Sequence, residues 1–228
     1  MNSTIDGLVA AAEQEWLDVW TEGPTEPLGA GLPLGSDAPD LSLADETGAT
    51  RLLSEFWADG PALIMFWRHF GCGCGTGRAA LLRQELDTYQ AAGLTPVVIA
   101  QGEPLRAMAY RAKHELPCSI LCDPGHDAYR AFGIGQWPVE RILYDAPPEF
   151  WSHPHDVGVA FQNSRRAEGR PLVDDPWRQV IEFVVGTNGK VRLSYSYQHC
   201  EDFPLTSVLT AAAKLSCPKR PCEKDVAE

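Results

Sequence analysis

Apolar and polar positions follow two rhythms along this chain. Residues 4–20 repeat at helical spacing, with Ile5, Leu8, Val9, Ala12, Trp16, Val19 and Trp20 on one stripe and Ser3 or Thr4 placed as N-cap. Residues 23–39 lose that periodicity and are rich in Gly and Pro, which reads as a linker or an extended wrap. The helix is therefore expected as an appendage. Its two Trp should pack on the main domain or on a second subunit, so a homodimer through this helix is one expectation.

From Pro39 the pattern becomes regular. Leu41 and Leu43 alternate with polar residues, residues 45–48 (DETG) form a turn, and Ser54 is placed to cap a short helix. Residues 62–67 (ALIMFW) are continuously apolar over strand length, as in a strand covered on both faces. A Gly- and Cys-rich loop is expected over 71–77. A helix follows over about 78–92 with Ala79, Leu82, Leu86 and Tyr89 on one face, and Gly93 suits its left-handed C-cap. Strands over 96–100 and 118–122 alternate with a helix opened by Pro104 and another opened by Asp123-Pro124. Further on, two β-rich runs flank Asn188-Gly189, a dipeptide that predicts a hairpin with a type I′ turn. A last helix over about 205–215 places Leu205, Val208, Leu209, Ala212 and Leu215 on one face. Strand-helix alternation followed by a hairpin implies an α/β fold: a central mixed sheet, parallel first and antiparallel last, flanked by helices. Residues 145–178 are polar and Pro-rich without clear periodicity, and read as a long excursion inserted before the hairpin. The expected organisation is a helix and linker over 1–35, one domain over 36–216, and a charged tail over 217–228.

Composition narrows the function classes. The chain has 228 residues with 19 Lys+Arg against 31 Asp+Glu, a formal net charge of −12 that argues against a nucleic-acid partner. No stretch approaches the roughly 20 apolar residues of a membrane helix. The first residues lack the basic start and apolar core of a secretory signal, so a cytoplasmic protein is expected. The seven cysteines are odd in number and so cannot all pair within the chain. In a reducing compartment they point to redox chemistry, metal binding or packing.

The chemistry concentrates in residues 68–75 (RHFGCGCG), between the buried strand and a helix. A thiol at a helix N-terminus meets unpaired N–H groups and the positive end of the dipole, which favour thiolate. Arg68 and His69 add positive charge or hydrogen-bond donors, and the glycines let a substrate approach the backbone. Cys72 is the candidate nucleophile and Cys74 its candidate partner, through a strained and easily reduced Cys-x-Cys bond.

A metal site is the rival: Cys72, Cys74, Cys118 and Cys122 could supply four thiolates to zinc or an iron–sulfur cluster. Against it, four residues along a strand separate Cys118 from Cys122 by about 13 Å. Cys217 and Cys222 lie in the charged tail, where either could reach an active-site sulfur, and Cys200 beside His199 reads as structural or surface. His153 and His155 with Asp156 form a further metal candidate. Tyr195 and Tyr197 alternate on a strand and read as packing. A third class is a specialised enzyme whose 145–178 excursion builds a pocket for a metabolite from Trp151, Trp177 and the His pair.

The order of elements and the loop resemble the thioredoxin-fold superfamily, and more narrowly the peroxiredoxin-like proteins of the alkyl hydroperoxide reductase/thiol-specific antioxidant group. Residues 39–48 (PDLSLADETG) with Leu53-Ser54 and Gly60-Pro61 are similar to that group's N-terminal hairpin and lead into the central strand. Residues 66–72 (FWRHFGC) resemble its reactive loop, and Asp123-Pro124 with residues 129–133 (YRAFG) and the 184–191 segment (VVGTNGKV) resemble later parts. The resemblance covers roughly residues 36–215.

It implies a thiol oxidoreductase without cofactor, in which Cys72 attacks a peroxide or disulfide. Cys74, or else Cys217 or Cys222, would resolve the product, Arg68 and His69 would stabilise the thiolate, and cellular thiols or a thioredoxin-type reductant would restore it. The sequence departs from the family where Pro and Thr ordinarily precede the reactive cysteine: those places hold Met65 and His69. The family's late arginine falls about two residues from Arg178, and Gly75 stands where many members carry a second cysteine.

Overall fold

The computed structural model describes residues 2–147, 150 and 152–215. Its centre is β3 (Ala62–Phe66), the apolar run, which pairs in parallel with β4 (Thr95–Ala100) and antiparallel with β6 (Ile181–Val185). β4 continues in parallel to β5 (Ser119–Cys122), and the hairpin of β1 (Ser42–Asp45) and β2 (Thr50–Leu52) closes that side antiparallel to β5. β7 (Val191–Ser196) closes the other, giving the seven-strand order β2-β1-β5-β4-β3-β6-β7. The mixed α/β architecture anticipated from the sequence is the one observed.

Successive side chains of a strand point to opposite faces, so β3 feeds two cores. Leu63 and Met65 meet α2 (Gly73–Ala91), α3 (Pro104–His114) and α7 (Thr206–Ala213) through Leu82, Tyr110 and Leu209. Ala62, Ile64 and Phe66 meet Trp57, Tyr129 and Phe132 on the other side. Burial on both faces is why this strand is apolar without alternation. Asp123 accepts from the N–H groups of Asp127, Ala128 and Tyr129, and so fastens the start of α4 (Asp127–Ala131).

Three local expectations are corrected. The glycine-rich loop ends early: α2 begins at Gly73, so Gly73, Cys74, Gly75 and Gly77 are helical. These glycines allow close contact in place of favourable propensity. A Cβ on Gly75 would lie 2.9 Å from Tyr110 Oη, and one on Gly77 would lie 3.3 Å from Phe203. The hairpin turn is not type I′, which needs positive φ at both Asn188 and Gly189. Only Gly189 is left-handed (φ +70°); Gly189 N–H donates to Gly186 and Gly186 N–H to Lys190, the pattern of a type I turn with a glycine bulge. Residues 145–178 are not merely irregular either, since they hold α6 (Pro154–Ala167), which follows the short α5 (Val139–Ile142).

α6 packs on α1 (Asn2–Glu22). Trp20 stacks on Trp177 (centroids 4.7 Å apart) and on Trp16 (5.4 Å), and donates its Nε1–H to the Pro154 carbonyl at 2.9 Å. The two indoles of α1 are thus covered by their own chain. Residues 23–39 run extended across the domain, with Gly31 N–H donating to Gly133 and Gly35 N–H to Val191. Among the described residues, no helix is long and apolar enough to cross a membrane.

Candidate functional site

The site forms where β3 leaves the sheet. Trp67 N–H still bonds the Ile99 carbonyl at 3.0 Å, and the Trp67 carbonyl accepts from Tyr129 Oη, so the sheet grips the chain up to this point. A tight turn follows, in which Cys72 N–H donates to the His69 carbonyl at 3.0 Å. Cys72 is the N-cap residue of α2, with extended backbone (φ −73°, ψ 135°). Its sulfur therefore lies at the positive end of a 19-residue helix, as expected from the sequence.

Arg68 is buried with 4% of its surface exposed. Its Nη1 reaches Cys72 Sγ at 3.3 Å and Cys200 Sγ at 3.1 Å, while Nη2 donates to the Pro176 carbonyl and the guanidinium faces the Trp137 ring at 5.8 Å. The sulfurs of Cys72, Cys74 and Cys200 all lie within 4.8 Å of one another. Cys200 arrives from the turn after β7, which Asp202 ties down by accepting from Tyr195 Oη (3.0 Å) and Gln198 N–H (2.8 Å). The expectation that Cys200 is structural or surface is thus corrected: it is a member of the site.

The three thiols divide unequally. The thiols of Cys200 and Cys74 donate to Cys72, and with the Arg68 charge they hold Cys72 well below the usual cysteine range against the opposing effect of burial. Cys74 is pushed well up by the same contacts seen from the donor's side. Cys200 is pushed up to about 11, first by its bond to Cys72. His69 lines the same cleft, but burial and then the Arg68 charge push it down to about 4. It is neutral at pH 7, so of its two expected roles, positive charge or hydrogen-bond donor, the donor role is the one left to it. Arg68 alone supplies the charge.

Cys72 borders a cleft of about 200 Å³. Trp16 and Trp20 of α1, Leu143, Phe161 of α6 and Leu172 give it apolar walls, and Arg165 and Glu201 add charged groups to its lining. The insertion does line this cleft, but not through the residues expected. His153 and His155 are solvent-exposed, Trp177 is locked in the tryptophan stack, and Trp151 lies outside the described residues.

The four-thiolate metal set is also corrected. Cys118, just before β5, and Cys122, at its end, sit in the core two strands from β3, and burial pushes each up to about 12. Among the described residues, the group of ligand atoms that could share a metal is Cys72, Cys74 and Cys200. Arg68 already donates to two of these sulfurs, and its charge opposes a cation there. Cys217 and Cys222 lie outside the described residues.

Behind the thiols, Arg78 of α2 donates to Glu182 of β6 through Nε (2.7 Å) and Nη2 (3.0 Å), and Tyr197 Oη adds a bond of 2.5 Å to the same carboxylate. Glu182 is fully buried opposite Met65, so this ion pair joins the reactive helix to the sheet. Tyr197 thus does more than pack. Arg178, near the place of the family's late arginine, does not reach Cys72 and is bound to Glu26 (2.7 Å) and Asp175 (2.8 Å). The guanidinium beside the sulfur comes instead from Arg68.

Comparison with known proteins follows the same outline. Residues 34–194 match the AhpC/TSA family. The thioredoxin-like protein AAED1 of Arabidopsis thaliana is 32% identical over 105 residues, 45% of this chain and 42% of that protein. Peroxiredoxin Q of Triticum aestivum is 28% identical over 44% of this chain and 46% of its own length. Peroxiredoxin Bcp of Escherichia coli is 27% identical over 45% of this chain and 65% of its own length. The chain thus spans less than half the length of the first two of these relatives. In structure it is similar to the peroxidoxin BcpB of Mycobacterium tuberculosis (TM-score 0.57, 16% identity, 82% of this chain and 97% of that one). It is equally similar to a cysteine-to-serine mutant of PrxQ from Xylella fastidiosa (TM-score 0.57, 11% identity, 82% and 100%). These solved structures share its fold, and the sequence match over most of its length establishes that the chain is a thioredoxin-fold, peroxiredoxin-like member of the AhpC/TSA family.

Proposed function

We propose that this protein is a thiol-dependent oxidoreductase of the peroxiredoxin type, in which Cys72 attacks a peroxide as thiolate. The observation that carries the reading is the placing of the Cys72 sulfur: at a helix N-terminus, beside a cleft, with a buried guanidinium 3.3 Å away. Thiolate character, not the thiol, supplies the nucleophile. The sulfur attacks the outer peroxide oxygen, forming an S–O bond as the O–O bond breaks. The other oxygen leaves as alkoxide or hydroxide and takes up a proton, giving an alcohol or water and Cys72 as sulfenic acid.

Arg68 supports the departing charge as well as the thiolate, because its guanidinium is fixed by Pro176 before substrate arrives. Neutral His69, on the same cleft, is placed to donate one N–H to a peroxide oxygen in the position where family members carry Thr. A dithiol reductant of thioredoxin type closes the cycle. A disulfide substrate would meet the same nucleophile and give a mixed disulfide.

Peroxide consumption by the reduced protein tests the reading. One equivalent of hydrogen peroxide should be consumed per protein within the mixing experiment, leaving Cys72 oxidised, and Cys72→Ser should consume none. Equal consumption by Cys72→Ser defeats the proposal.

A further inference from the structure

We propose that Cys200 is the resolving cysteine of this site, and that Arg68 passes its hydrogen bond from Cys72 to Cys200 once Cys72 has been oxidised. This rests on Cys72 being the thiol that peroxide attacks.

Geometry selects Cys200 over Cys74, the partner that adjacency in sequence favours. Both sulfurs lie within 4.8 Å of Cys72, so either could close to the bond length of about 2 Å by a small movement. Cys74, however, is already inside the first turn of α2, only two residues on, and a bond across Cys-x-Cys closes a small, strained ring. Joining it to Cys72 requires that turn to unwind. The turn is held by Gly75 against Tyr110 and Trp67, by Gly77 against Phe203, and by the buried Arg78–Glu182 pair. Cys200 belongs to a separate segment, the partly exposed turn between β7 and α7. It can approach Cys72 while the helix stays intact.

The guanidinium sets the order of events. One nitrogen, Arg68 Nη1, lies 3.3 Å from Cys72 Sγ and 3.1 Å from Cys200 Sγ. While Cys72 is a thiolate, Cys200 is held protonated as its hydrogen-bond donor. It is then silent towards peroxide and leaves a single reactive sulfur. Oxidation turns Cys72 into a neutral sulfenic acid and removes the anion that kept Cys200 protonated. The charge of Arg68 is then left facing Cys200 alone and favours its thiolate. That thiolate attacks Cys72 sulfur: the S–S bond forms, the S–O bond breaks, and the departing hydroxide combines with the proton that Cys200 gave up, leaving as water. The two thiols supply the two electrons that reduce one peroxide, and an external dithiol of thioredoxin type restores them by exchange.

The test is one equivalent of hydrogen peroxide added to the reduced full-length protein, followed by alkylation of free thiols, non-reducing digestion and mass mapping. Wild type should contain the Cys72–Cys200 disulfide, and Cys74→Ser should form the same bond. Cys200→Ser should instead hold Cys72 as a sulfenic acid that dimedone traps, with disulfide formation slowed by about a hundredfold, because the advantage of a neighbouring thiol is lost. If oxidised Cys72 closes onto Cys74 or another cysteine, or if Cys200→Ser closes a disulfide at the wild-type rate, the role given to Cys200 is overturned and the peroxide reading stands. If peroxide leaves Cys72 unmodified in every variant, both fall.

Discussion

Replacing Arg68 by Met removes one charge from the site while keeping a long side chain against Trp137. Coulomb's law at the observed 3.3 Å, with an effective protein dielectric of about 20, gives about 5 kcal/mol of gross attraction between guanidinium and thiolate. Several features reduce what is lost. The guanidinium is divided between two sulfurs and the Pro176 carbonyl, water can enter the space it leaves, and the Cys200 and Cys74 thiols still donate to Cys72. A neighbouring opposite charge is worth about 1–3 pKa units in proteins, or about 1–4 kcal/mol.

The Cys72 titration midpoint should therefore rise by that amount in Arg68→Met. Thiolate absorbance in the ultraviolet across pH, with Cys72→Ser as baseline, reads this midpoint directly. The rate of attack on peroxide near neutral pH should fall as the thiolate fraction falls. An unmoved or lowered midpoint in a folded Arg68→Met protein refutes the electrostatic reasoning.

Three further expectations concern the scaffold. Glu182→Leu leaves Arg78 buried without its main carboxylate and should cost about 3–5 kcal/mol in denaturant unfolding, whereas Arg78→Met with Glu182→Leu should recover most of that loss. Trp20→Ala removes the centre of the indole stack between α1 and α6, and should cost about 3–5 kcal/mol by thermal unfolding while opening the cleft to dye binding. His69 is neutral in the folded protein down to about pH 4, whereas in the unfolded chain it takes up a proton near 6.5. The unfolded state then binds more protons between these values, so stability should drop by about 2–3 kcal/mol as pH falls through that window, and His69→Gln should flatten the drop.

What the sequence reveals and what it hides divide along contact range. The strand ALIMF, the Asp123 cap and the helix starting at Pro104 are written in local pattern, because burial on both faces and capping act over a few residues. The early start of α2 is hidden, because glycine disfavours helix and the compensating contacts come from Trp67, Tyr110 and Phe203. Arg68, Cys72 and Cys74 are legible from one strand–loop–helix segment.

Cys200 is not, since it lies 132 residues from Arg68 and its neighbour His199 gives no motif. A topological signal for it does exist. β6 runs antiparallel to β3, and β7 antiparallel to β6, so β7 runs in the direction of β3 and both strands leave the sheet at the same end. That places the residues after β7 beside the Cys72 loop. The same reasoning separates Cys118, which precedes β5 and lies at the opposite end of the strands, from the site it was expected to join.

Every step at this site depends on Cys72 being the thiolate among the cysteines of the described residues. Competitive alkylation of the reduced protein at pH 6 with limiting iodoacetamide, read cysteine by cysteine in a mass spectrometer, measures that directly. Cys72 should be modified first, ahead of Cys74 and Cys200, which stay protonated, and ahead of the core thiols Cys118 and Cys122. Modification of Cys72 no faster than of Cys200 would show that the nucleophile has been misassigned.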